Sequence, residues 1–109
     1  MLTTVNGQLA LGSSDLYYVP ARAGQTLLVS VDSADGDISF QVYAPDASVA
    51  KTADGKTTVR GRTLPDAGAH DNARAWVGAI SRSGNYLIAV SMGETGAVLG
   101  DYSLTVSLQ

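Results

Sequence analysis

Apolar and polar side chains alternate residue by residue along four stretches of this chain. Leu27, Val29 and Val31 alternate with Leu28, Ser30 and Asp32, and Ile38, Phe40 and Val42 alternate with Ser39, Gln41 and Tyr43. Tyr86, Ile88, Val90 and Met92 alternate with Leu87, Ala89 and Ser91. Tyr102, Leu104, Val106 and Leu108 alternate with Ser103, Thr105, Ser107 and Gln109. Successive side chains of a strand point to opposite faces, so each run predicts a strand with one face buried and the other in water. Sheets covered on one face only are antiparallel. Weaker runs predict strands at 3–11, 16–19, 49–52 and 75–80. No stretch carries apolar residues at helical spacing.

Turn-forming residues separate the runs. Ala23-Gly24-Gln25, Ala44-Pro45-Asp46, Asp54-Gly55 and Ser83-Gly84-Asn85 each interrupt the alternation. Ala34-Asp35-Gly36-Asp37 lies between two strong strands and reads as a tight hairpin. The whole is the pattern of an all-β fold, an antiparallel, jelly-roll-like β-sandwich of about eight short strands. Residues 1–14 read as an edge strand or a linker. Residues 56–74 carry few large apolar groups and read as a surface insertion, with room for one short strand near its start.

Composition narrows the function more than the fold. The 109 residues fit a single domain spanning 1–109. The absence of cysteine excludes disulfides, thiolate zinc sites and iron–sulfur clusters. A net charge of −3 with only two lysines and five arginines excludes a nucleic-acid binder. No apolar run approaches the ~20 residues of a membrane span. Residues 1–11 lack the basic start and apolar run of a signal peptide.

The residues that carry chemistry elsewhere are sparse and scattered. His70 is the only histidine, and no serine sits in a Gly-x-Ser-x-Gly elbow, so no triad is legible. Glu94 is the only glutamate, which leaves no evident carboxylate pair for glycoside hydrolysis. No phosphate loop, dinucleotide fingerprint or His-x-x-x-His occurs. The chain reads as non-catalytic, with no cofactor. Asp32, Asp35 and Asp37 bunch at one turn and offer the oxygen ligands of a calcium site, although their spacing departs from the EF-hand pattern and turn chemistry accounts for them without metal. Trp76 and the five tyrosines suit packing better than a sugar platform, and Tyr86 and Tyr102 fall on the apolar register.

Three segments then form a familiar order. Asp15-Leu16-Tyr17-Tyr18-Val19-Pro20-Ala21-Arg22-Ala23-Gly24-Gln25 leads into the first strong strand, and Ile38-Ser39-Phe40-Gln41-Val42-Tyr43 ends in an aromatic. Ser83-Gly84-Asn85-Tyr86 opens the third, before Tyr102-Ser103-Leu104-Thr105-Val106. This order resembles bacterial pre-peptidase C-terminal domains over roughly residues 15–106. It is also similar to the periplasmic inhibitors of goose-type lysozyme, whose aromatic-x-Gly-x-Leu segment Trp76-Val77-Gly78-Ala79-Ile80 resembles. The resemblance implies an extracytoplasmic, periplasmic or secreted, module. The main reading is an accessory or structural domain binding a protein or cell-wall polysaccharide surface. The alternative is an inhibitor that plugs a goose-type lysozyme cleft with loop residues. For either, the resemblance and the local charge point to Arg60, Arg62, His70, Arg74, Arg82, Ser83 and Asn85 as partner-binding candidates. Four of the seven basic residues (Lys56, Arg60, Arg62, Arg74) fall within 56–74, so the net charge conceals a locally basic stretch. Nothing in the sequence sets an oligomeric state.

Overall fold

A computed structural model describes residues 2–10, 13–33, 38–51, 53, 57–68, 71–92 and 99–109. These form nine strands: β1 (Leu2–Ala10), β2 (Ser14–Ala21), β3 (Thr26–Asp32), β4 (Ile38–Tyr43), β5 (Ser48–Lys51), β6 (Thr57–Arg60), β7 (Ala75–Ala79), β8 (Gly84–Met92) and β9 (Leu99–Leu108). No described residue is helical. One sheet has the order β1-β9-β3-β7 and the other β2-β8-β4, with all pairs antiparallel. The chain passes from one sheet to the other at each step from β1 to β4 and again from β7 to β9, which is jelly-roll connectivity.

The two inner faces meet in one core. Leu27, Val29, Val31, Leu104 and Val106 come from the first sheet, and Ile38, Phe40, Val42, Ile88 and Val90 from the second. These are the alternating positions legible in the sequence. The same periodicity puts Tyr86 and Tyr102 inside, and both are buried.

The expected hairpin between β3 and β4 does not form. β3 pairs with β7 and β9, whereas β4 pairs with β8 in the opposite sheet. Alternation assigns each residue a face but does not choose the partner strand. Residues 34–37 lie outside the described residues, but the strands on either side of them belong to opposite sheets, which pack roughly 10 Å apart.

The outer face of the second sheet is also covered. β5 and β6 form a separate two-stranded hairpin, and Val59 of β6 packs with Tyr43, Leu87 and Ala89 in a second, smaller cluster. Leu87 and Ala89, expected on a solvent face by alternation, are therefore buried. After β6 the chain runs back along the free side of β4. Leu64 donates to Val42, Val42 to the carbonyl of Ala67, and Phe40 to that of Ala73, at 2.9–3.0 Å. The stretch 56–74, expected as a surface insertion, thus supplies a strand at 57–60 and the irregular neighbour of β4.

A chain of hydroxyls joins the sheets. The Tyr102 hydroxyl of β9 donates to Asp15 Oδ2 at 2.6 Å and also bonds the Tyr17 hydroxyl, both on β2. Desolvation pushes the Tyr102 phenol well above its ordinary value, and the bonds to Asp15 and Tyr17 add to the shift. The raised value means that the stability is fully present below the unfolded phenol's pKa of about 10 and is lost as pH rises above it. Tyr102→Phe removes the chain's central member and is expected to lower stability by about 1–3 kcal/mol. In urea titrations from neutral to alkaline pH, its stability falls less steeply above about pH 10 than that of the wild type.

Candidate functional site

The loops at one end of the sandwich are tied down by the main chain. Ala21 closes the β2–β8 pairing opposite Gly84. Beyond it the chain turns at Gly24, whose φ of 96° suits a residue without Cβ. Gly24 donates to the Ile80 carbonyl and Ile80 donates to that of Gln25, each at 2.8 Å, so the β2–β3 and β7–β8 loops hold each other. The Gln25 side chain accepts from the Arg22 amide at 2.7 Å. Two further contacts fix the β7–β8 loop. Ser83 Oγ accepts from the Ala23 amide at 2.9 Å, and the buried Tyr86 hydroxyl donates to the Arg82 carbonyl at 2.6 Å.

The β4–β5 turn joins this end. A Cβ on Gly84 would lie 2.6 Å from the Pro45 ring, so glycine is required there by close approach and not by a left-handed backbone. Ala44 donates to the Arg62 carbonyl at 2.8 Å, and Arg60 pairs with Ser48 just beyond. Of the sequence candidates, Arg62, Arg82, Ser83 and Asn85 therefore share one end, with Arg60 on its flank. All five are exposed. Arg22, also exposed, stands beside Ser83 at the same end and was missed. Its signal lay in the Ala-Arg-Ala-Gly-Gln turn, where the glycine drew the reading and the arginine did not.

The other candidates lie elsewhere. Arg74 sits at the opposite end, where its guanidinium donates to the Ser33 carbonyl at 3.3 Å. Asp32 is there too, exposed, in an open groove shared with Asn6, Ser33, Asp101 and Ser103. Asp101 accepts from Gln8 at 2.9 Å. Asp35, Asp37, Lys56 and His70 lie outside the described residues. Among the described residues no three acidic or histidine side chains come together to hold a metal.

The geometry is that of a scaffold presenting charged loops. One end carries Arg22, Arg62 and Arg82 on loops cross-linked by main-chain hydrogen bonds. The exposed Asp46 of the β4–β5 turn shares that end, and the other end carries Asp15, Asp32 and Asp101 together with Arg74. No family model matches the chain, and no curated protein matches it. A solved structure does. It is the crystal structure of Aeromonas hydrophila PliG, a periplasmic lysozyme inhibitor of g-type lysozyme. The likeness covers 99% of this chain and 86% of that one, with a TM-score of 0.70 and 27% sequence identity. The chain is thus similar, over nearly all its length, to an inhibitor protein.

Proposed function

We propose that the protein is an extracytoplasmic inhibitor of a g-type lysozyme. The observation that carries this reading is the match to PliG, which spans 99% of the chain at 27% identity. Because the two chains overlap so fully, the inhibitor reading takes precedence over the accessory-module reading that the sequence first favoured. The protein would do no chemistry. It would occupy the enzyme's cleft and exclude substrate.

The arginine-bearing end supplies a physical basis for such binding. Glycoside hydrolases work through carboxylic side chains that flank the scissile bond. Arginine guanidinium groups match carboxylates as planar forks, and complementary charge speeds encounter. Loops already held by hydrogen bonds lose little freedom on binding, which conserves affinity. Arg82 and Arg22, beside the braced Ser83-Gly84-Asn85 turn, are the residues proposed to face the cleft.

The reading is tested by titrating the protein into g-type lysozyme acting on bacterial cell walls, with calorimetry in parallel. Stoichiometric inhibition is expected. Neither inhibition nor heat at micromolar protein removes the proposal. Arg82→Glu is expected to weaken binding about 10- to 100-fold, with greater loss at low salt and an unchanged melting temperature.

A further inference from the structure

Sandwich proteins blunt the edges of their sheets, because an open edge offers unpaired amides and carbonyls to any passing strand. Three edges here are blunted. β4 is covered by the main chain at Leu64, Ala67 and Ala73. β2 carries Asp15 and Pro20. β7 is only five residues long. The fourth edge is not protected in any of these ways. β1 runs for nine residues, Leu-Thr-Thr-Val-Asn-Gly-Gln-Leu-Ala, with no charge and no proline. It pairs with β9 on one side and with no described strand on the other.

The outer side chains of β1 are tied to β9. Asn6 accepts from Ser103 at 2.7 Å, Gln8 donates to Asp101, and Thr4 bonds Thr105, all across to β9. The inner row overhangs β2 and leaves an apolar groove lined by Val5, Tyr17, Tyr18, Leu104 and Val106. Tyr18 is 62% exposed at its rim, and Leu2, on the outer row of β1, is 70% exposed.

We infer that β1 is a self-pairing edge, joining two copies of the chain antiparallel about a two-fold axis so that the four-stranded sheets become one. The neutrality of the strand makes it compatible with a second copy of itself, which is the occupant proposed. In a two-fold pair each residue meets another residue of its own strand, so alternating charge along one row would bring like charges together. Both copies keep their inner faces on the core side only if opposed residues share a row. The register centred on Asn6 does this and uses all nine residues of β1. It sets Thr4 against Gln8 and Leu2 against Ala10 on the outer face, and Thr3 against Leu9 and Val5 against Gly7 on the inner face. Every pair is uncharged. The second copy's inner row also extends over the apolar groove. The interface runs along the side of the sandwich and uses none of the arginine-bearing loops, so it does not depend on the inhibitor reading.

The test is analytical ultracentrifugation of the full chain across micromolar to submillimolar concentrations. The wild type is expected as a dimer. Thr4→Lys/Asn6→Lys, which places lysines on an exposed outer face, is expected as a monomer with an unchanged circular dichroism spectrum. The chain has no cysteine, so Asn6→Cys introduces its only thiol. Across the axis that residue meets itself within disulfide reach, and mild oxidation is expected to cross-link it, while Val77→Cys on the opposite edge stays uncoupled. If the lysine variant fails to fold, the cross-link decides. A wild type that is monomeric throughout, an open series of larger species, a folded lysine variant that stays dimeric, or cross-linking at Val77→Cys and not at Asn6→Cys would overturn the inference. A failure to inhibit lysozyme leaves it standing.

Discussion

Leu104→Asp is expected to yield a chain with no cooperative unfolding transition. Leu104 is 0% exposed on β9, between Val5 of β1 and Val31 of β3. Burying a leucine contributes roughly 1.5–3 kcal/mol, all of which is lost. The replacement carboxyl would occupy an apolar site, at a further cost of several kcal/mol whether it stays charged or takes up a proton. Single domains have only about 5–15 kcal/mol in total. β9 is also flanked on both sides in its sheet, so no edge lets the side chain swing into water. Far-ultraviolet circular dichroism and urea titration check the result. A native spectrum with an unchanged midpoint would show that β9 is not core.

Leu87→Asp is expected to be nearly as damaging, while Leu28→Asp, at the same phase of the alternation, is expected to cost about 1 kcal/mol or less. Both leucines lie between inward-facing neighbours: Leu87 between Tyr86 and Ile88, Leu28 between Leu27 and Val29. By alternation alone both face solvent. Leu28 does remain 41% exposed on the outer face of the first sheet, beside the 61%-exposed Val77. Leu87 is 1% exposed, because the β5–β6 hairpin closes over it with Tyr43, Ala89 and Val59. The loss at Leu87 combines roughly 1.5–3 kcal/mol of apolar burial with the cost of a carboxyl beneath the hairpin. Matched urea midpoints for the two variants would refute the difference in cover.

This pair also marks how far the sequence could be read. A strict period of two is a local property of the extended chain, so it placed Val29, Phe40, Ile88 and Leu104 on the core face without any knowledge of partners. It was silent about the second layer over β8, because that layer comes from residues 48–60, distant in sequence and only four residues long in each strand. Turn chemistry marked the breaks at Gly24 and Ser83 but took Ala34-Asp35-Gly36-Asp37 for a hairpin. A turn signal states where the chain reverses, and not whether it reverses within a sheet or across the core.

The candidate site was legible in the same partial way. Arg82, Ser83 and Asn85 stood out because they adjoin one turn. Arg22 did not, since its neighbourhood with Ser83 depends on a hydrogen bond between residues 60 positions apart. Arg74, grouped in the sequence with Arg60 and Arg62, lies at the other end because Leu64, Ala67 and Ala73 bond successive points along β4 before β7 begins.

The sequence by itself determined that this is an antiparallel sandwich, because alternation, turn residues and the lack of a helical stripe are all local and agree. It also determined which side chains of the strong strands face the space between the two sheets. Only the tertiary structure decided which strands pair, which outer face is covered, and which charges share an end. Those depend on contacts between segments far apart in the chain, whose free energies are set by burial and main-chain pairing once the sheets have come together.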